Sequence, residues 1–499
     1  MPKKRPSNKG LKMIHRRDFL KIAGASLASA AIGNISFAAK VKNKKPNVIF
    51  VFADDWGWGD LGCYGHQSLK TPNLDKLASQ GLLFTQFYVN NPVCSPSRAS
   101  VMTGQYPARL GIHGHLATHD FNKERNMPDF LDPNVPTITK LFKSDGYATA
   151  HFGKWHIGGY IWPDGKGGFE SAPGPEPKEY GVDEHRVVCG MGPRWDNMDG
   201  PDFWNQSSEL FVDETIRFIE KNKDKPFYVN TWLLDTHAAL NPTEEQMEPY
   251  AKFSSAGPSG KNHKGAMRVY YAAATNADKQ IGRLLDKLDE LGLADNTIVI
   301  FSSDNGPEDI HLPESSHSGV GSAGPFRGKK RSLYEGGIRT PFIIRWPNGN
   351  IPAGKIDNTT ILSAIDLLPS LCSIQGIPLP QNTKLDGENM TDALLGKPQK
   401  REKPLFWEYR YPIVGDPIIK SPMLAIREGK WKLLMNPDRS RVELYDIIAD
   451  PMEVDNLADR NPDVVKKLSK QLLKWQKELP PAPIDPDAGK NDYPWPKEK

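Results

Sequence analysis

The chain has 499 residues, a quarter of them charged, and a formal net charge of only +4. Residues 1–38 hold eight Lys/Arg against one Asp, a net +7, so the rest of the chain sums to −3. That balance removes the main support for nucleic-acid binding, because no excess of positive charge is left to neutralise phosphates.

His15-Arg16-Arg17-Asp18-Phe19-Leu20-Lys21 follows the twin-arginine pattern R-R-x-F-L-K. A weakly apolar stretch rich in Ala and Gly runs from Ile22 to Ile32, and Ser36-Phe37-Ala38 places small residues for cleavage before Ala39. We read residues 1–38 as a twin-arginine-type signal peptide. The expected partner is the twin-arginine export machinery, and the mature protein is expected to be periplasmic or secreted. The competing readings are a nuclear-type basic cluster at Lys3-Lys4-Arg5 and a membrane anchor. The apolar stretch is too short and too Gly-rich for a stable span, so no stable anchor is expected in the mature chain.

Residues 47–53 form a short continuous apolar run, as a strand buried on both faces of a parallel sheet should. Similar runs recur at 227–234, 297–302 and 341–345, and helical patterns at 73–80, 137–145, 208–221 and 266–291. Strands alternating with helices imply an α/β fold, a large mostly parallel sheet flanked by helices. Segments 157–205 and 235–262 are rich in Gly, Pro and Trp and read as loops around the mouth of a site. Past residue 385 the pattern changes. Strands are predicted at 405–409, 423–427 and 431–435, with a closing helix at 464–479, so a smaller C-terminal α+β domain on an antiparallel sheet is expected. The Pro-rich, charged tail is expected to be loose.

Several motifs carry chemistry. Asp54-Asp55 directly follows the first buried strand, and Asp304-Asn305 ends another. Ligands gather at the carboxyl ends of strands in such sheets, and adjacent carboxylates repel unless a cation compensates them. Oxygen donors without His or Cys suit a hard cation rather than zinc. A turn or helix cap is the bland alternative for each pair. Cys94-Ser95-Pro96-Ser97-Arg98 fits C-x-P-x-R, although a buried structural cysteine before a turn has the same look. Gly153-Lys154-Trp155-His156, Leu234-Asp235-Thr236-His237-Ala238 and Lys329-Lys330 ahead of Tyr334-Glu335-Gly336-Gly337 complete the set. His113 and His115 form H-x-H, but no cluster of Cys or carboxylates completes a zinc site beside them. Trp56, Trp58, Trp155, Trp162 and Trp195 fit a carbohydrate cleft and fit core packing equally well.

These segments occur in the order in which type I sulfatases of the alkaline-phosphatase superfamily carry theirs. So do Leu385-Asp386-Gly387-Glu388, Glu443-Leu444-Tyr445-Asp446 and Asp450-Pro451-Met452-Glu453. The chain therefore resembles that family, arylsulfatases and N-acetylgalactosamine-6-sulfatases in particular, with residues 324–345 similar to the bacterial branch. The resemblance implies a catalytic domain over 39–385 and a smaller domain over 386–499. It implies that a formylglycine-generating enzyme oxidises Cys94 to formylglycine (3-oxoalanine). The hydrated aldehyde would attack sulfur with one hydroxyl and expel sulfate when the other is deprotonated, which an ordinary Ser or Cys nucleophile cannot do. Three cysteines, 63, 189 and 372, would then remain, too few for a full disulfide framework; a Cys63–Cys189 pair is conceivable.

By the same resemblance one Ca²⁺, less readily Mg²⁺, would be held by Asp54, Asp55, Asp304, Asn305 and the modified Cys94. Arg98 would support residue 94, while Lys154, His237 and Lys330 would grip sulfate and the leaving oxygen. His156 would take the proton on regeneration. His237 departs from the commoner P-H-x-P form, and Lys329 stands one residue from Lys330. The expected activity is hydrolysis of O-sulfate esters on a sulfated polysaccharide, an algal glycan such as ulvan or carrageenan or a glycosaminoglycan. Two rivals are a phosphonate or phosphate monoester hydrolase of the same superfamily and a catalytically silent sulfoglycan-binding protein.

Overall fold

Fifteen strands organise the chain in a computed structural model that describes residues 45–163, 169–198, 200–253, 265–311 and 313–491. The segment read as a signal peptide lies outside these residues. Nine strands form one sheet: β1 (Asn47–Ala53), β2 (Leu82–Tyr88), β3 (Ala148–Lys154), β6 (Glu184–Val188), β7 (Phe227–Trp232), β8 (Thr297–Ser303), β9 (Arg339–Arg345), β10 (Lys355–Asp357) and β11 (Leu362–Ser363). The remaining six strands are β4 (Ile161–Pro163) and β5 (Phe169–Ser171), which pair with each other, and β12 (Leu405–Glu408), β13 (Leu424–Glu428), β14 (Trp431–Met435) and β15 (Glu443–Asp446).

The large sheet runs β10-β2-β9-β8-β1-β7-β3-β6, with β11 also on β2. It is parallel except for β9, which lies antiparallel to both β8 and β2. β1 is central, and its sequence explains why. Val48, Phe50 and Phe52 enter the core on one face, while Ile49, Val51 and Ala53 enter the core on the other. A strand apolar on both faces is stable only between two layers. Helices Pro72–Gln80, Pro201–Asn222 and Ala266–Glu290 supply one layer. Helix Cys94–Thr103, every residue of it buried, belongs to the other.

Register then sets the site. Ala53 is level with Ser303, Phe52 with Trp232, and Gly153 with Trp232. The carboxyl ends of β1, β8, β7 and β3 therefore finish together, and the loops that leave them meet at one edge.

The smaller sheet is antiparallel, β12-β13-β14-β15, and helix Pro462–Lys477 packs on β13 and β14. Residues from Pro46 onward form one compact unit, so this sheet is continuous with the larger body. The contact is partly ionic and buried. Lys432 lies 2.9 Å from Glu335 and 2.8 Å from Glu453, and Glu453 also accepts the Glu335 amide at 2.7 Å. Tyr88 donates to Glu335 at 2.5 Å, and Arg427 reaches both Tyr88 and Gln86.

Several expectations need adjusting. The region 157–205 is less irregular than its composition suggests. β6 lies within it and pairs with β3, and helix Pro201–Asn222 starts seven residues before position 208 because Pro201 sits in its first turn after Gly200. β2 and β3 were not anticipated; β3 contains Ala, His and Gly, which carry little strand preference. The tail is not loose over its described length. Asn126 donates to the Pro481 carbonyl at 3.0 Å, Arg410 to that of Ala482 at 2.6 Å, and Asn436 to that of Gly489 at 3.2 Å. All four cysteines are free thiols, so Cys63 and Cys189 are not paired. Among the described residues no helix is long and apolar enough to cross a membrane.

Candidate active site

Four loops converge at the carboxyl edge of the sheet. β1 delivers Asp54 and Asp55, β8 delivers Asp304 and Asn305, β3 delivers Lys154 and then His156, and the chain after β7 delivers His237. Beneath them Cys94 opens helix Cys94–Thr103, whose N-terminal end carries partial positive charge. Oxygens of Asp54 and Asp304 and the Cys94 Sγ lie within 4.8 Å of one another, as do atoms of Asp54, Asp55 and His237.

Backbone geometry marks the same place. Asp55 (φ 59°), His156 (54°), Cys189 (53°) and Arg331 (74°) are all left-handed, although none is glycine. Such residues concentrate where the surrounding structure over-determines a functional geometry. Gly153, at φ 107°, has the Trp232 carbonyl 2.0 Å from where a Cβ would stand, so β3 can run this close to β7 only with glycine there. A Cβ on Gly306 would meet the Gly336 carbonyl at 1.8 Å. That close approach fits the Asp304-Asn305 loop against the Tyr334–Gly337 turn.

Charges are paired throughout. Lys154 contacts Asp54, and Lys330 lies 2.6 Å from Asp55 and 3.3 Å from Glu308. Arg98, fully buried, gives two hydrogen bonds to Asp304 Oδ2 at 2.6 and 3.0 Å. Its guanidinium lies 5.5 and 5.1 Å from the ring centres of Phe52 and Trp232. Burial alone would raise Asp54, but Lys154, His237, Arg98 and Lys330 outweigh it and hold its carboxyl far below the usual range. Burial and the Asp54 charge push Asp304 upward.

The two adjacent lysines have different surroundings. Lys330 points into this cluster, whereas Lys329 donates to the carbonyls of Glu308, Gly319 and Gly321. The possible one-residue slip therefore resolves to Lys330 as the residue in the site.

The histidines differ as well. His156 Nε2 lies 2.9 Å from the Leu116 carbonyl, which only accepts, so Nε2 carries the proton and Nδ1 is left buried without a partner. Burial and Lys154 lower its pKa well below the usual value, so it is a neutral imidazole with a free lone pair. His237 Nδ1 meets the Ala238 carbonyl at 2.6 Å, which leaves Nε2, 3.9 Å from Asp55, facing the site. Burial, Lys330 and Lys154 lower its pKa too. His113 belongs to the core, 3.0 Å from Glu408. His115 is half-buried beside the site. Trp56, Trp155 and Trp195 are core residues; only Trp58 and Trp162 are half-buried, Trp162 against Trp204 at 5.5 Å.

Two neighbours were not anticipated. Glu308 bridges Lys330 and Arg331. It lies three positions after Asn305, and a second carboxylate on that loop after Asp304 was a usable signal. Cys189 accepts the His156 amide through its carbonyl at 3.0 Å; nothing local in the sequence pointed to it.

The residues fit a hard cation. Asp54 Oδ1 and Asn305 Oδ1 are buried acceptors with no hydrogen-bond partner. Acceptor-only oxygens left bare inside a protein are costly unless a cation meets them, and this donor set is the oxygen type that Ca²⁺ takes.

A family model described as Sulfatase matches residues 46–377, and one described as N-sulphoglucosamine sulphohydrolase, C-terminal, matches residues 324–478. The chain belongs to the sulfatase family and is a sulfuric ester hydrolase. It is 30% identical to an N-acetylgalactosamine-6-O-sulfatase of Bacteroides thetaiotaomicron over 86% of this chain and 93% of that one. It is 32% identical to the Homo sapiens N-acetylgalactosamine-6-sulfatase over 77% of this chain and 72% of that one. The crystal structure of Ps i-CgsB in complex with k-i-k-neocarrahexaose superposes with a TM-score of 0.72 at 26% identity, covering 88% of this chain and 94% of that one.

Proposed function

We propose that this protein removes O-sulfate groups from a sulfated glycan, a glycosaminoglycan or an algal polysaccharide, after a maturation enzyme has converted Cys94 to formylglycine. One observation carries the reading. Cys94 stands at a helix N-terminus within 4.8 Å of Asp54 and Asp304, in a cluster that also gathers Lys154, Lys330, His237 and bare carboxylate and amide oxygens. The names of the relatives, a galactosamine-6-sulfatase and a structure holding a carrageenan oligosaccharide, support the substrate class.

Asp54, Asp55, Asp304, Asn305 and residue 94 would hold Ca²⁺, and Arg98 would orient residue 94 through Asp304. When present, formylglycine supplies paired hydroxyls for attack and release, and the cation supplies charge to polarise the sulfate. The chain's own residues do the rest. Lys154 and Lys330 have their ammonium groups at the carboxylate edge and offer them to sulfate oxygens. His237 Nε2 faces the site and, once the ring is protonated, would pass that proton to the leaving oxygen. His156 Nδ1, neutral and unpartnered, accepts the proton that regeneration releases. We assign residues 39–385 to the catalytic domain and 386–499 to the smaller one. Export through the twin-arginine route, to the periplasm or beyond, completes the reading.

The test is sulfate release by protein co-produced with a formylglycine-generating enzyme. Defined ulvan, carrageenan and chondroitin oligosaccharides are the substrates, with Cys94→Ala as the control. Release that disappears in the control supports the proposal. No release from any glycan, with residue 94 shown by peptide mass to be converted, overturns the glycan reading.

A further inference from the structure

Beside the sulfate site lies a cation that no carboxylate among the described residues neutralises. Arg331 binds Glu308 through two nitrogens, Arg410 lies 2.7 Å from Glu408, and Lys329 is held by carbonyls. Arg125 differs from all three. Its guanidinium carbon lies 3.9 Å from the Phe121 ring centre and 4.2 Å from that of Tyr411. Among the described residues it has no side-chain hydrogen bond and no carboxylate within ion-pair range.

The clamp is rigid. Tyr411 lies against the backbone of Gly114, where a Cβ would stand 2.7 Å from its ring. Its hydroxyl reaches the Met127 sulfur at 3.6 Å, and Asn126, next in chain to Arg125, is tied to the Pro481 carbonyl at 3.0 Å. Its position follows from two neighbours. His115 packs on Phe121 at 4.8 Å, and burial together with the charges of Arg125, Arg331, Lys330 and Lys154 pushes its pKa down to about 3. The buried Tyr409 hydroxyl likewise feels Arg331, Arg125 and Lys330. Leu116, next in chain to His115, accepts His156 Nε2 on its carbonyl at 2.9 Å, so the clamp adjoins the segment that holds a histidine of the site.

We propose that Arg125, clamped between Phe121 and Tyr411, binds a second oxyanion of the substrate, a sulfate ester or carboxylate near the sulfate that is cleaved. The site would thereby select multiply charged glycans. The proposal rests on the glycan-sulfatase reading and deepens it. Both ring centres lie within 4.2 Å of the guanidinium carbon, and its N–H groups, without a hydrogen-bond partner among the described residues, form a fork whose geometry matches carboxylate and sulfate oxygens. The clamp holds the side chain before ligand arrives, so little entropy is lost on binding. A stacked Arg that served stability alone would need its charge but no ligand at its edge.

Titration calorimetry on the Cys94→Ala protein, which needs no maturation, tests this with three probes. They are 4-nitrophenyl sulfate, a chondroitin disaccharide carrying one sulfate and one uronate, and a carrageenan oligosaccharide with several sulfates. Arg125→Gln should weaken both oligosaccharides by about 10- to 100-fold, the range of a lost charge-assisted contact, and leave the aryl ester within about twofold. Arg125→Lys, charged but without the fork, should fall between. A loss confined to one oligosaccharide names the oxyanion that is read. Equal weakening of all three probes, no weakening, or failure of either oligosaccharide to bind would overturn the subsite. Arg125-dependent binding with no sulfate released from either oligosaccharide by matured enzyme would instead keep the subsite and sink the glycan-substrate reading.

Discussion

Two buried charge clusters lie on the large sheet, built from the same kinds of residue and put to opposite uses. At the seam with the small sheet, Glu335 and Glu453 share Lys432, Tyr88 and a backbone amide. At the carboxyl edge, Asp54, Asp55 and Asp304 are paired with Lys154, Lys330 and Arg98, yet Asp54 Oδ1, Asn305 Oδ1 and His156 Nδ1 have no partner. The seam is closed by charge and holds two layers together: even Glu453 Oε1, which lacks a well-directed hydrogen bond, lies 2.8 Å from the Lys432 ammonium. The edge keeps open valences, and an open valence inside a protein is tolerated where a ligand, ion or proton will meet it. Fully buried charge therefore does not by itself mark an active site; what distinguishes the two is what remains unpaired.

The comparison can be broken from either side. Cys94→Ala should abolish sulfate release, a loss on the order of 10⁴-fold or more, with circular dichroism unchanged. A folded variant that kept activity would remove residue 94 from the chemistry. His156→Ala should reduce kcat by about 10²- to 10⁴-fold, with a stability loss of only about 1–3 kcal/mol from the lost Nε2 bond to the Leu116 carbonyl and the vacated volume. Lys432→Met should do the reverse. It leaves Glu453 without its cation and Glu335 with Arg339 alone at 3.2 Å, and denaturant titration should show a loss of about 3–5 kcal/mol, while any folded protein keeps its turnover.

A pH series sharpens the seam further. Burial raises Glu453 to about 7, above its unfolded value. The protonated form is thus favoured in the folded state, and the stability it contributes is full below the unfolded pKa and lost as pH rises through about 7. Glu453→Gln should therefore flatten the decline of stability between pH 5 and 8, read from urea midpoints. A decline as steep as in wild type would assign it to other groups. The smallest effect is expected at the tail. Asn126→Ala removes one hydrogen bond to Pro481 and should cost about 1 kcal/mol or less.

The sequence alone determined what local chemistry can write. Apolar runs announced β1, β7, β8 and β9 because a strand buried on both faces must be apolar throughout. Helix 266–291 was legible within a residue, since its amphipathic period spans seven turns. Asp54-Asp55, Asp304-Asn305, Cys94, Lys154 and His156 were legible because each is a short motif next to a recognisable element. Tertiary structure decided the rest. Only the register that levels Ala53 with Ser303 and Gly153 with Trp232 brings those motifs to one edge. Lys330 is distinguished from Lys329 by the carbonyls that surround the latter, and those come from residues up to 21 positions away. Glu335 and Glu453, set in two of the motifs that carry the family resemblance, prove to be partners of Lys432 at a seam. Arg125 gains its two rings from positions 121 and 411, the second almost 300 residues along the chain. Motifs record what a residue can do, but which charges stay unpaired depends on packing between segments distant in the chain.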